Sequence, residues 1–433
     1  MDDILCSIKD HSKKCKYYED LYNILWKINE GKKVENEHYK NISIGLFNIP
    51  CAGFGDIIIC KTFYDYLNNW YPSSKITICT TTPEKYKELK IDGNIYKLHS
   101  KINDNECIDY DKLIIKNKKK FDIMIAIPII NKTFEINKFK KLIPYANVFN
   151  TFTVSEYNGE FPPYTFPIGV GYDNLGILFN NYKYKQQKIM KTPYALVYIQ
   201  PSPDWGPHSK YCFYSYLEMI CKKYRKKHSN FEIIIPEWIM VELQENNTFK
   251  NKCLNKAKLY DNILLKSDKL TTLKGEDKKV SRLVFRGDIL PQPRDIFISL
   301  MKDSINDILV TGDQSLSDII SCCKNKRVWY QIAPWKKSLS WALYKELPNK
   351  YYKSYTTSCG TLKSFKTKIN WNNFMKKYDF RINGKKIFDA ILHSIYLMKD
   401  NKKNKIINDI LYIIEHSRYL ETAQNKIKKI KYN

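Results

Sequence analysis

The stretch Asp307-Ile308-Leu309-Val310-Thr311-Gly312-Asp313-Gln314-Ser315-Leu316-Ser317 decides the fold class. A short apolar strand ends in Thr-Gly, and a hydroxyl residue then opens a helix that runs from Ser315 to about Cys323. The amides at such a helix start have no intrahelical acceptor, and the helix dipole adds positive potential, so the turn suits an anion. The plainer alternative is a capped helix with Ser315 as N-cap and Asp318 at its N3 position, a capping box in form. Asp313 is itself anionic and suits hydroxyl groups better than phosphate oxygens.

The same strand-turn-helix grammar extends in both directions. Upstream lie the strand Tyr194-Ala195-Leu196-Val197-Tyr198-Ile199, a helix over 211–226 and a strand over 231–235. A lysine-rich insertion over about 243–279 is followed by the strand Ser281-Arg282-Leu283-Val284-Phe285 and a helix over 294–302. Downstream comes Arg327-Val328-Trp329-Tyr330. The first half repeats the layout. The strand Ile42-Ser43-Ile44-Gly45-Leu46-Phe47 runs through Pro50-Cys51-Ala52-Gly53-Phe54-Gly55-Asp56 into a helix over 57–70, with further strands at 75–80 and 121–127. Apolar strands alternating with helices predict an α/β fold of two Rossmann-like doubly wound domains facing across a cleft, with C-terminal helices. The expected boundaries are 1–176 for the first domain, 177–193 for a linker, 194–350 for the second domain, and 351–433 for a helical extension packing across both.

Composition supports this reading. A chain of 433 residues, 43% hydrophobic and 14% aromatic, can fill two cores. The net charge of +27 favours anionic partners, but the lysines are scattered and no arginine-rich stripe occurs, so nucleic acid is not the expected partner. Twelve cysteines include no C-x-x-C pair, and Cys60, Cys79 and Cys212 sit in apolar runs as small hydrophobes of a reducing compartment. The start Met1-Asp2-Asp3-Ile4-Leu5-Cys6 lacks signal character and no apolar run reaches the roughly 18 residues of a membrane span. A soluble, cytoplasmic protein is expected.

In Gly53-Phe54-Gly55-Asp56, small residues let backbone approach a ligand, and Asp56 stands at the helix start as a candidate catalytic carboxylate or as a simple cap. Asp109-Tyr110-Asp111 has a D-x-D form but no preceding buried strand, and no other metal ligands cluster, so no metal and no cofactor are expected. His393 and His416 lie on helical segments as packing or surface residues, and Trp329, Trp335 and Trp341 are assigned to the core and domain seam.

Three stretches together resemble the carboxyl-terminal signature of protein-arginine rhamnosyltransferases, which modify bacterial elongation factor P. They are Leu290-Pro291-Gln292-Pro293, the run from Ser299 through Thr311-Gly312-Asp313-Gln314-Ser315, and Val328-Trp329-Tyr330-Gln331-Ile332-Ala333-Pro334. Phe54-Gly55-Asp56-Ile57 is similar to the F/Y-G-D-I after that family's first strand. The resemblance implies a GT-B glycosyltransferase with Asp56 as catalytic carboxylate and Asp313 in the place of an essential glutamate. Gly55, Gly312, Gln314, Ser315 and Leu316 then belong to the donor site, Ser315 and Leu316 facing the diphosphate and Gln292 lying near the base. Ala52, Thr311 and Gln314 depart from the family pattern. A weaker likeness to bacterial heptosyltransferases covers Ile199 to Lys210. There Lys210 is either the cation that neutralises the leaving diphosphate or a solvated lysine in a proline turn, and Arg286 is the other candidate cation. The function implied is an inverting, metal-independent glycosyltransferase moving sugar from a nucleotide sugar to a protein or glycan. The alternative is a sugar-nucleotide-binding relative without transfer, an epimerase or a degenerate binding protein.

Overall fold

A computed structural model describes residues 42–50, 54–100, 113–114, 119–129, 151–159, 165–166, 168–171, 174–180, 183–201, 208–276, 280–323, 326–333, 336–346, 352–357, 360–366 and 377–397. The chain divides into two compact units, one made of Met1–Leu178 with Lys376–Asn433 and the other of Phe179–Met375.

Unit 1 begins with β1 (Ser43–Asn48), α1 (Gly55–Trp70), β2 (Lys75–Thr80), α2 (Pro83–Glu88) and β3 (Ile95–Lys97). A small antiparallel pair, β4 (His99–Ser100) and β5 (Leu113–Ile114), precedes β6 (Ile123–Ile129), β7 (Thr151–Ser155) and β8 (Thr165–Phe166). The six-stranded sheet runs β3-β2-β1-β6-β7-β8 and is parallel throughout. Counting only its own strands, the order is 3-2-1-4-5-6, the dinucleotide-fold arrangement whose switch point lies beside the first strand. Helix α1 packs because Ile57, Cys60, Phe63, Tyr66 and Leu67 recur at helical spacing and are buried.

Unit 2 continues with β9 (Tyr194–Tyr198), α3 (His208–Tyr224), β10 (Asn230–Ile234), α4 (Glu237–Glu245), α5 (Asn247–Lys256), β11 (Asn262–Lys266), β12 (Leu270–Lys274) and β13 (Arg282–Arg286). It closes with α6 (Arg294–Asp303), β14 (Asp307–Val310), α7 (Asp313–Cys322), β15 (Arg327–Gln331), α8 (Lys337–Glu346), β16 (Tyr352–Thr357) and β17 (Gly360–Lys366). The sheet order is β12-β11-β13-β10-β9-β14-β15-β17-β16. Its six central strands are parallel, with β12 antiparallel at one edge and the β16–β17 hairpin at the other. The chain leaves β9 toward β10 and returns on its other side with β14, so the switch point lies between β9 and β14.

Three expectations change. The lysine-rich segment 243–279 does not interrupt the domain: it builds α5, β11 and β12, because Phe249, Cys253, Ala257 and Tyr260 are buried while the lysines face outward. Residues 180 and 183–191, expected as part of a linker, belong to unit 2: Asn180 donates to Asp318 at 2.7 Å, Gln186 to Asp303 at 2.7 Å, and the Gln187 amide to Ser299 at 3.2 Å. Residues 352–366, expected to be helical, form the β16–β17 hairpin, whose register extends the sheet from β15. Helix α9 (Phe380–Leu397) then joins unit 1, where Phe388 stacks on Phe166 at 4.5 Å and Asp389 accepts from the Tyr71 hydroxyl at 2.8 Å. The part of the expected helical extension that follows residue 397, with His416, lies outside the described residues.

Candidate functional site

In unit 2 the switch point is built around Gly312. Its φ of +86° and ψ of +148° belong to a region that only glycine occupies without strain, and a Cβ added there meets no described atom within 4 Å. The open side and the backbone demand coincide. Gly312, not Ser315, is the N-cap of α7, and the first helical bond runs from the Leu316 amide to the Gly312 carbonyl at 3.2 Å. The amides of Gln314 and Ser315 therefore precede the helical ladder. Ser315 sits in the first turn and is buried, which corrects the capping-box alternative, and Leu316 is fully buried in the core. Leu316 can serve an anion only through its backbone neighbourhood.

The neighbouring strand ends are locked together. The Thr311 amide donates to the Tyr198 carbonyl at 2.9 Å, and the Thr311 hydroxyl to the Gln331 carbonyl at 3.1 Å. The buried Gln331 side chain accepts from the Gln200 amide at 3.0 Å and donates to the Gln200 carbonyl at 3.1 Å and the Ser209 hydroxyl at 2.9 Å. One amide thus ties the ends of β15 and β9 to the start of α3.

Asp313 is the first residue of α7 and is buried. Its Oδ2 lies 2.6 Å from Lys336 Nζ, an ammonium equally removed from water. Such a pair persists only when the geometry compensates the desolvation of both ions. Lys336 was missed by sequence reasoning; its only signal is its place just past β15, after the Val328–Ala333 run. A second buried carboxylate, Asp318, accepts from Arg294 at 2.7 Å, Asn180 at 2.7 Å and Gln314 at 2.9 Å. Gln314 is therefore turned back along its own helix rather than toward a ligand. At the opposite end of β14, Asp307 is fully buried. Burial alone would raise its carboxyl, but hydrogen bonds from Lys223, Trp329 and Tyr224 outweigh it and hold the group below its usual range.

Three expected donor residues of unit 2 have their side chains engaged within the protein. Lys210, on the first turn of α3, is 2.6 Å from Glu242 and stands over the Phe249 ring at 5.5 Å, so its charge is spent on α4 and α5. Arg286 binds Asp288 at 2.8 and 3.0 Å and Glu232 at 3.1 Å. Gln292 folds onto the Ile289 carbonyl at 2.5 Å.

In unit 1, Gly55 and Asp56 open α1 after β1 at that sheet's switch point. The N-cap is Phe54, with no side-chain cap, so Asp56 is a first-turn acid and not the cap. It is partly exposed, and a Cβ at Gly55 meets no described atom within 4 Å. The buried Asn48, also missed from sequence, donates to the Asp56 carbonyl at 3.3 Å and the Ile127 carbonyl at 2.8 Å, and accepts from Tyr86 at 2.7 Å. Ala52, Gly53, Asp109, Asp111, Trp335 and His416 lie outside the described residues. Among the described residues no three His, Cys, Asp or Glu side chains group as metal ligands, and no helix is long and apolar enough to cross a membrane.

Both units are α/β units built on a core of parallel strands, each with a helix opened by glycine at its switch point. No protein-family model matches the chain, and no curated protein matches it. The solved structures it is similar to include a family 9 glycosyl transferase from Veillonella parvula, at 11% identity and TM-score 0.32 over 66% of this chain and 79% of that one. A glycosyltransferase from Rickettsia africae is similar at 12% identity and TM-score 0.36, over 86% of this chain and 99% of that one. An O-GlcNAc transferase mutant from Thermobaculum terrenum is similar at 9% identity and TM-score 0.36, over 96% and 76%.

Proposed function

We propose that the chain is a GT-B glycosyltransferase whose nucleotide-sugar donor binds unit 2 at the turn from β14 into α7. The observation that carries this reading is Gly312: a glycine-only backbone with open space on its Cβ side, placed where a helix start presents the Gln314 and Ser315 amides. In the reaction the donor's anomeric C–O bond breaks and the bond to the acceptor oxygen or nitrogen forms. The acceptor's proton passes to a carboxylate, and the departing nucleoside diphosphate carries the electron pair away as an anion. The helix amides stabilise that charge. Asp56, partly exposed on the first turn of α1, is the proposed base, and Asp313, fixed by Lys336, is the proposed partner of donor hydroxyls. The likeness to arginine rhamnosyltransferases favours a protein acceptor, an inverting course and no metal.

A thermal-shift panel of nucleotide sugars and nucleoside diphosphates tests the donor. A ligand at a hundredfold excess over its Kd stabilises by about 2.7 kcal/mol. Stabilisation by a nucleotide sugar that Gly312→Val abolishes supports the site. A panel without any shift overturns it, and binding without transfer to any acceptor leaves the non-transferase alternative. Transfer that needs manganese or magnesium after chelation overturns the metal-free assignment.

A further inference from the structure

The strands β10, β13 and β11 turn alternate residues toward two different environments. Phe231, Ile233, Leu283, Phe285, Ile263 and Leu265 enter the apolar core shared with α3, α4 and α5. The opposite set lines a cavity of about 350 Å³: Glu232 from β10, Arg282, Val284 and Arg286 from β13, and Lys266 from β11. Strand β13 is interior to the sheet, flanked by β10 and β11. Interior parallel strands normally carry apolar residues on both faces, because helices cover both. Two arginines on one face of an interior strand require another explanation.

The charges there do not cancel. Arg286 takes both nearby carboxylates, Glu232 at 3.1 Å and Asp288 at 2.8 Å. Arg282 and Lys266 form no ion pair with a described residue; Lys266 reaches only the Asp268 carbonyl at 3.3 Å. Arg282 Nε is buried and has no acceptor. Nε is packed against the protein, which holds the guanidinium in place and leaves its terminal nitrogens, which have no described partner, as the groups able to meet an anion in the cavity. A guanidinium fork matches the paired oxygens of a phosphate or carboxylate. Lys266 pairs in register with Arg286, four residues beyond Arg282, so the two cations without an ion pair start about 13 Å apart along the strands. That separation fits a molecule rather than a lone ion.

We propose that this cavity is a second binding site, for a small molecule carrying an oxyanion, with Arg282 gripping the oxyanion and Lys266 engaging the far end. It is separated from the Gly312 turn across the sheet: Lys266 and Arg286 end their strands at the same carboxyl edge as Gly312, but β10 and β9 lie between β13 and β14, and Arg282 stands at the opposite, amino end of β13. It does not depend on the glycosyltransferase reading.

Calorimetry of the full chain at low salt with inorganic phosphate, glucose 1-phosphate and succinate tests it. At least one probe binds saturably, and preference for the phosphates or for succinate identifies the oxyanion. Arg282→Gln and Lys266→Gln each weaken that binding tenfold or more, while Ser315→Asp changes it less than twofold. Absence of saturable binding by all three probes overturns the proposal. So does wild-type affinity in Arg282→Gln, or binding lost in Ser315→Asp and kept in Arg282→Gln. If Arg282→Gln does not fold, Lys266→Gln decides alone, since its side chain is partly exposed and supports no core packing; unchanged affinity there refutes the site.

Discussion

The turn after β1 and the turn after β14 occupy equivalent places in their sheets, yet different chemistry holds them. In unit 1 the clamp is neutral: one buried amide, Asn48, bridges the start of α1, the end of β6 and Tyr86. The acid beside it, Asp56, keeps part of its surface in water, next to an exposed Phe54 and Gly55. In unit 2 the clamps are charged. Asp313 is buried against Lys336, and Asp318 gathers Arg294, Asn180 and Gln314. A carboxylate open to water can exchange a proton during turnover. One neutralised by a buried ammonium instead holds a shape and a local field.

This contrast predicts opposite outcomes for the same conservative change in the two turns. Asp313→Asn strands Lys336 in the interior and should cost about 3–5 kcal/mol of stability, read by denaturant unfolding. Adding Lys336→Met should return much of the loss, as expected when a buried pair is replaced by apolar packing. A wild-type midpoint for Asp313→Asn would mean that the pair is not structural.

Asp56→Asn should do the reverse. Melting should stay within a degree or two, since asparagine keeps the size and one acceptor oxygen of the partly exposed aspartate. Turnover should fall by roughly a hundredfold, within the range for general acid–base catalysis. Near-normal transfer would remove Asp56 from the chemistry and leave unit 1's turn with a structural part only.

A smaller effect is expected from Ser315→Asp, which adds negative charge to the first turn of α7. Binding of a nucleoside diphosphate should weaken by about fivefold to thirtyfold, the scale of a charge acting on a helix terminus. The same substitution should not alter the melting of unit 1. Unchanged calorimetric affinity would take the diphosphate away from this turn.

Acid offers the mildest separation of the two units. Asp307, in unit 2, has a folded-state carboxyl held below its ordinary value, so it binds fewer protons folded than unfolded in that window. Its stabilisation is complete above the unfolded carboxyl value of about 3.9 and is lost as pH falls below it, through the lowered native value. The amide of Asn48 does not titrate. Between about pH 4 and pH 2, hydrogen exchange should therefore accelerate in β14 and β15 before it does in β1 and β6. Simultaneous exchange would show that the charged clamps are not the weak point.

Much of the architecture was legible because strands buried on both faces leave continuous apolar runs, and helices leave an apolar stripe. Ile42 to Phe47, Tyr194 to Ile199 and Asp307 to Val310 announce themselves this way. The turn at Gly312 was legible for the same local reason: its backbone conformation, with φ of +86°, favours glycine whatever space surrounds it. Lysine content hid the rest. The lysines around Phe249, Cys253 and Tyr260 masked these buried positions, and lysine-rich composition also hid the strands of the β16–β17 hairpin.

The sequence by itself determined the parallel strands of the two sheets and the switch-point turns that follow β1 and β14, since these follow from periodicity and backbone geometry within a few neighbours; which residue opens each helix was settled only in the structure. Only the tertiary structure decided what each charge does. It paired Asp313 with Lys336, 23 residues on, spent Lys210 on Glu242, and turned Arg286 to Glu232 across the sheet. Electrostatic partners are fixed by which strand ends meet in space, and sequence distance carries no record of that.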